Sequence, residues 1–345
     1  MSKSNKQRIV VVLGMHRSGT SAYTHALEVL GFDLGVGLCA PNEWNRKGQF
    51  EHPEINQLND EILSHVGMSW DSVSCFKIDI VDPEIRKFRT RALQILEGKF
   101  KNGGPRALKD PRIARLVSFW NDVLVEAGFD VRYLLVIRNP LEVAHSLNRR
   151  DHFSILKGCW LWARYIVSVL EWLENSCNEN ICVLADFDRL IQDADRQLRN
   201  LAARLDSPLS MRELDTVVAD YCAVFIDGSL KNELLIPNSD MESHGVPRQV
   251  AMLYREIQKL STRSWAPLKE QCSRLLKRLS TISPHDFAPL VSSIESELVH
   301  SRVSQSRLAD ELVIARQTID GLAREIETAR QAHVARDEIE GELRQ

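Results

Sequence analysis

Long apolar runs are missing from this chain. The longest near its start, RIVVVLGMHR at residues 8–17, is far too short to cross a bilayer, and the Gly-Ser-Thr stretch behind it is not followed by a signal-peptide cleavage pattern. The expectation is therefore a protein with no transmembrane segment. A strong charge of either sign is also missing, since 44 Lys and Arg against 47 Asp and Glu leave a formal net charge of -3. That balance carries no nucleic-acid footprint, although a local basic cleft can hide inside it. Closely spaced cysteines are absent as well. The seven thiols (Cys39, Cys75, Cys159, Cys177, Cys182, Cys222 and Cys272) are scattered, form no metal-ligand pairing, and are odd in number, which argues against a fully paired disulfide framework. Reduced, buried thiols and a cytoplasmic location are expected, with no metal site.

One further absence is local. Gly14 and Gly19 in VVVLGMHRSGTS have the spacing of the phosphate-binding loop G-x-x-x-x-G-K-[ST], and Ser21 fits its last position. The lysine of that motif is not there, because Thr20 occupies its place. A kinase or ATPase handles β- and γ-phosphates with Mg²⁺, using that lysine and an acidic residue from a second strand. Asp186, at the end of ICVLAD, comes closest to such an acid. An ATP-dependent P-loop kinase acting on a small molecule is the runner-up reading, and a non-catalytic assembly module is a third.

What is present has an α/β order. The β-branched run Val10–Leu13 breaks at a glycine, and SAYTHALEVLGF follows with helical spacing until Gly31. VRYLLVIRNP shows no alternation and is expected as a central parallel strand, with Asn139-Pro140 turning into a helix at LEVAHSLNRR. NICVLAD is a third strand, followed by one helical stretch, RLIQDADRQLRNLAARL. Helical patterns also cover EINQLNDEILSHVG, IRKFRTRALQILEGKF and ILKGCWLWARYIVSVLEWLEN. FIDGSLKNELL is expected as a surface segment and VAMLYREIQKL as a short helix. From Val291 to Ala329 apolar residues follow a 3-4-3-4 seam, interrupted by Ser301 and Gln305. The expected architecture is a P-loop-type parallel β-sheet flanked by helices over residues 1–285. A long C-terminal helix over 286–345 would form a coiled coil and make the protein a homo-oligomer.

A glycine loop between a parallel strand and a helix gathers backbone N–H groups around an anion. Arg17 supplies a planar fork for an oxyanion, and Thr20 and Ser21 add hydroxyls. The strand YLLVI delivers a second arginine, Arg138, to the edge where α/β sheets bind ligands, and Ser146 follows two helical turns later. Lys109, Asp110 and Arg112 in ALKDPR bring further charge, as do Arg149, Arg150 and His152. Trp160 and Trp162, two apart, cannot share a helical face, so one is expected in the cleft and the other in the core.

The segment GMHRSGTS resembles the 5′-phosphosulfate loop of sulfotransferases that use 3′-phosphoadenosine 5′-phosphosulfate (PAPS), and LLVIRNPLEVAHSL resembles the 3′-phosphate segment of the same family. LADFDRL is similar to the stretch that follows, with Phe187 replacing the usual tyrosine, and NRKGQFEHPEINQLNDEIL and LKDPRIARLVSFW resemble stretches of the bacterial branch. The resemblance spans roughly residues 8–205. It implies that Gly14, His16, Arg17, Ser18, Gly19, Thr20, Ser21, Arg138 and Ser146 hold PAPS, with 3′-phosphoadenosine 5′-phosphate as product. It also makes Arg17 the basic residue of the loop, so that no lysine is missing. The acceptor would be a hydroxylated molecule, with a carbohydrate as the leading class. Glu51 in GQFEHPE is the implied proton acceptor, His52 is the alternative, and His16 is a weaker candidate inside the loop. Lys109 is placed near the sulfuryl group.

Overall fold

A computed structural model describes residues 6–43, 47–100, 103–176, 182–225 and 240–262, all within a unit that runs from Met1 to Asp286. The expected C-terminal segment 286–345, with its apolar seam, lies outside the described residues. So does FIDGSLKNELL beyond Phe225. Among the described residues, no single helix is long and apolar enough to cross a membrane.

The first strand, β1 (Arg8–Leu13), is buried from Ile9 onward, as its unbroken apolar sequence requires of a strand covered on both faces. It pairs in parallel with β2 (Arg106–Lys109), where Val12 lies opposite Lys109, and with β3 (Asp130–Ile137), where Leu13 lies opposite Leu135. The next strand, β4 (Cys182–Asp186), adds to β3 with Ile137 opposite Asp186. The spatial order is β2-β1-β3-β4. The chain leaves β1 for β2 on one side and returns for β3 on the other. The C-terminal ends of β1 and β3 therefore form the crevice where strand order reverses, the usual ligand position in open α/β sheets.

The helices follow the caps written into the sequence. Helix α1 (Thr20–Val29) starts directly at Gly19, α2 (Pro53–His65) at Pro53, and α3 (Pro83–Lys99) behind the Asp82 cap. After β2 comes a 3-10 turn, Pro111–Ala114, and then α4 (Val117–Glu126). Helix α5 (Pro140–Asp151) is capped by Asn139, whose side chain accepts from the Leu141 N–H, and Pro140 sits where its missing N–H costs nothing. The 21-residue α6 (Ile155–Asn175) packs along it.

The single helix expected after β4 is in fact two, α7 (Phe187–Gln192) and α8 (Ala194–Leu205). They are broken at Asp193, whose side chain caps α8 through the Arg196 N–H. Next comes α9 (Met211–Asp220), opened by a Ser210/Glu213 capping box. The last described helix, α10 (Arg248–Thr262), lays Tyr254 against Trp162, with ring centroids 5.8 Å apart. Trp160 and Trp162 are both buried, at 7% and 0% exposure. Among the described thiols, Cys39, Cys75, Cys159, Cys182 and Cys222 are free.

Candidate active site

The loop between β1 and α1 is built on two positions that admit only glycine. Gly14 has φ 146°, and a Cβ there would lie 2.7 Å from the Val136 carbonyl oxygen on β3. Gly19 has φ 87°, and a Cβ there would lie 2.1 Å from the Phe187 ring. The loop thus sits directly on β3 and on the first residue after β4. Arg17 takes the left-handed region without being glycine, at φ 67°, a conformation that costs about 1 kcal/mol or more and is kept where the surroundings hold it. The hold is visible: Arg138 Nη1 donates to the Arg17 carbonyl at 3.1 Å.

Arg138 itself is fixed on three sides. Its Nε and Nη2 donate to Glu142 Oε2 at 3.0 and 2.9 Å, one helical turn on in α5. Its guanidinium also lies 4.8 Å from the Phe187 ring centroid, a cation–π geometry. Phe187, which takes the place of a tyrosine in the sequence resemblance, therefore fills the space between Gly19 and Arg138. Ser146, two turns into α5, accepts from Arg17 Nε at 2.8 Å. The two segments picked out in the sequence thus meet through Arg17, with Ser146 on its side chain and Arg138 on its carbonyl.

The charge around Arg17 is uneven. Burial, then Arg150, Arg138 and Arg149, pull its guanidinium down to about 10, opposed only in part by Asp151. A guanidinium destabilised by neighbouring cations is one that gains from an incoming anion.

The other flank of the loop is balanced. Lys109, the last residue of β2, is 3% exposed and donates to Glu51 Oε1 at 2.5 Å, the Gln49 carbonyl at 3.0 Å and Ser21 Oγ at 3.2 Å. Ser21 Oγ in turn donates to the Gln49 carbonyl at 3.3 Å. Glu51 Oε2 accepts from Asn56 Nδ2 at 3.0 Å. Burial pushes the Glu51 carboxyl up, but the Lys109 ammonium, then Arg112 and the Asn56 amide, outweigh it and leave Glu51 below its ordinary range. His52, its neighbour in sequence, faces elsewhere. Its ring is buried, Nε2 bonds to the Leu34 carbonyl at 2.9 Å, and Phe100 lies edge-on at 6.0 Å.

Asp110 is fully buried and held by Asn59 Nδ2 at 2.9 Å and Arg112 Nη1 at 3.2 Å. It also caps the 3-10 turn through the Arg112 N–H. Arg112 reaches on to Asp60 at 2.6 Å. Asp186 ends β4, two strands from β1, and caps α7 through the Asp188 N–H at 3.0 Å. Burial and the nearby Asp188 raise its carboxyl to about 6.

His16 lies inside the loop, 9% exposed, with its ring 4.7 Å from Trp70 and 6.1 Å from Tyr165. Its Nε2 and the Ser18 hydroxyl are both buried without a hydrogen-bond partner. Trp70 was not marked by any sequence motif. It is placed by a segment whose backbone carbonyls are tied down: Tyr165 Oη donates to the Trp70 carbonyl at 2.7 Å, Arg164 to Val73 at 3.0 Å, and Arg115 to Ser72 and Ser74 at 2.6 and 2.7 Å. Arg150 lies over the Trp70 ring at 5.4 Å and pairs with Asp151 at 2.8 Å. His152 ends α5 in the left-handed region, at φ 58°.

No family model matches this chain, and no curated protein matches it. Among solved structures it is similar to sulfotransferase STF9 from Mycobacterium avium, at 15% identity and TM-score 0.45 over 75% of this chain and 78% of that one. It is also similar to the sulfotransferase domain from the curacin biosynthetic pathway, at 17% identity and TM-score 0.38 over 81% and 100%. A third similar structure is the sulfotransferase domain from the Synechococcus PCC 7002 olefin synthase, at 15% identity and TM-score 0.37 over 82% and 99%.

Proposed function

We propose that this chain transfers a sulfuryl group from PAPS to an acceptor hydroxyl, releasing 3′-phosphoadenosine 5′-phosphate. The observation that carries the reading is the linkage of Arg17, Ser146 and Arg138 at the β1–β3 switch point, beside a glycine loop that opens α1. The loop fits a polyanion on independent grounds. Ser18 Oγ and His16 Nε2 are buried and unpartnered, and buried polar atoms in a folded protein normally have partners.

Bound PAPS would supply an activated sulfuryl group on a phosphate leaving group. Arg17 and the loop N–H groups stabilise the negative charge that grows on the leaving oxygen. Arg138, held rigid by Glu142 and Phe187, reads the 3′-phosphate with Ser146. Lys109 neutralises the sulfuryl oxygens, and Glu51 accepts the acceptor's proton. In the structure Lys109 and Glu51 neutralise each other, so Glu51 becomes an effective base only as Lys109 turns to an incoming anion. A hydroxylated acceptor of the carbohydrate class, self-association through 286–345 and a cytoplasmic location belong to the same proposal and rest on the sequence alone.

A kinase needs a carboxylate free to hold Mg²⁺ at a strand end next to the loop strand. The ends flanking β1 carry Lys109 and Arg138, and Asp110 is engaged by Arg112 and Asn59. Calorimetry with 3′-phosphoadenosine 5′-phosphate, ADP and ATP, with and without Mg²⁺, tests the proposal. The expected outcome is at least tenfold tighter binding of the 3′-phosphorylated nucleotide without metal, about 1.4 kcal/mol. Equal affinity for ADP, or a strict need for Mg²⁺, would overturn it. Absence of any sulfuryl turnover on hydroxylated acceptors, with tight product binding intact, would favour the non-catalytic assembly module.

A further inference from the structure

His16 is an unusual residue for the interior of an anion loop. Its ring is held between Trp70, on the tied-down segment, and Tyr165 on α6. Its Nε2 is buried and has no partner, although a neutral imidazole has one donor and one acceptor to satisfy. Four cations act on it from four elements: Arg112 on the 3-10 turn, Arg150 on α5, Lys109 on β2 and Arg17 in the loop. Carboxylates also lie among them, Glu51 on Lys109, Asp110 and Asp60 on Arg112, and Asp151 on Arg150. The contact of Tyr165 is a neutral ring edge whose hydroxyl is turned to the Trp70 carbonyl.

We propose that His16 is a proton-linked ligand of the loop: its imidazole gains a second proton as a polyanion docks, and the buried Nε2 then serves as a charged donor within the anion site. The inference rests on the sulfuryl-transfer reading only for the identity of the anion, because the linkage is with negative charge as such. Burial and then the four cations hold the imidazole well below its ordinary value, so it is neutral before the anion arrives. A polyanion against the same cations cancels the repulsive part, and the proton comes from solvent. His16 thereby makes the site sensitive to total ligand charge. A ligand with more phosphate groups recruits more of the proton, and release of the anion expels it again.

The sign follows from linkage. The bound state holds the extra proton between the low value of the free protein and the higher value of the complex. Affinity therefore rises as pH falls across that window, by up to about tenfold per pH unit for one linked proton.

The test is calorimetry near pH 6.5 in two buffers of different ionisation enthalpy, with 3′-phosphoadenosine 5′-phosphate and, separately, inorganic pyrophosphate. The wild-type protein is compared with H16Q, whose amide is permanently neutral, and with H145Q on the exposed face of α5. The expected result is greater proton uptake for wild type than for H16Q, approaching one proton per anion, and no difference between wild type and H145Q. Subtracting the H16Q value removes the titration of the ligand's own phosphates. Equal uptake in wild type and H16Q would overturn the proposal, and so would failure of both anions to bind. Failure of the nucleotide to bind better than ADP would sink the sulfuryl-transfer reading, while the pyrophosphate measurement would still decide the role of His16. If H16Q does not fold, the ring-proton resonances of wild type titrated with and without pyrophosphate give the same answer. An imidazole whose titration midpoint does not rise on anion binding would refute it.

Discussion

The two flanks of the glycine loop are both lined with cations, yet they are wired differently. On the β3 side, Arg17 meets the neutral hydroxyl of Ser146 at 2.8 Å and is crowded by Arg138, Arg149 and Arg150. On the β2 side, Lys109 meets the carboxylate of Glu51 at 2.5 Å, and the pair is almost completely buried. A hydroxyl orients an arginine without cancelling its charge. A carboxylate cancels the lysine and makes the pair a structural cross-link between β2 and the segment before α2. On the β3 flank Arg138 pairs with Glu142 and Arg150 with Asp151, but Arg17 is destabilised by burial and by the neighbouring arginines. The β2 flank instead ties Lys109 into the fold until a ligand competes for it.

Breaking the balanced flank gives the largest expected effect. K109M leaves Glu51 buried beside an apolar side chain, and loss of one partner of a buried pair costs about 3–5 kcal/mol. Urea unfolding should show this loss, and K109M/E51Q should recover much of it because no unpaired charge then remains. A double variant as unstable as K109M would mean that Lys109 acts through packing and not through the pair. The next effect concerns Arg17. R17A should weaken binding of 3′-phosphoadenosine 5′-phosphate and slow transfer by about 10²–10³, the cost of removing one donor from a charge-stabilising site. Unfolding of R17A should change little by comparison, which would separate the two flanks experimentally.

The pH dependence of stability distinguishes them again. Glu51 is held below its ordinary range by Lys109. Its pairing therefore contributes fully above the unfolded value of about 4.3 and is lost as pH falls through the lower folded value. The acid limb of the stability curve should be shallower in E51Q, and an unchanged limb would show that other carboxylates dominate it. The smallest effect belongs to Ser146. S146A removes one hydrogen bond from Arg17 and should cost about 1 kcal/mol in nucleotide binding, roughly fivefold, with Arg17 still carrying its charge.

The half of the site around Arg17 was legible in the sequence because its parts are local. Gly14 and Gly19 mark the loop, the unbroken run ending at Ile137 marks β3, and Asn139-Pro140 marks the start of α5, so Arg138 and Ser146 follow from short-range rules. The other half was not legible as geometry. The strand RALK at 106–109 has four residues and no apolar run, and it is a strand because β1 offers it a parallel ladder. Trp70 lies in a segment without motif and reaches His16 only because Arg115, Arg164 and Tyr165 hold the backbone there. The adjacent pair Glu51 and His52 could not be separated by sequence either. The turn into α2 sends one carboxylate to Lys109 and the imidazole to Leu34.

The sequence by itself determined where the chain could bend into an anion loop and which strand would bring a second arginine to the same edge. Both are properties of backbone conformation and burial over a few residues. Arg138 pairs locally with Glu142, four residues on, but only the tertiary structure gave Arg17 the Ser146 hydroxyl and Lys109 the Glu51 carboxylate. Those pairings join residues as far as 129 positions apart, and they exist because the strand order β2-β1-β3-β4 sets the loop between two strand ends. The burial of Arg17 among neighbouring arginines marks one flank as the side that gains from an anion, and the buried Lys109–Glu51 pair makes the other a cross-link.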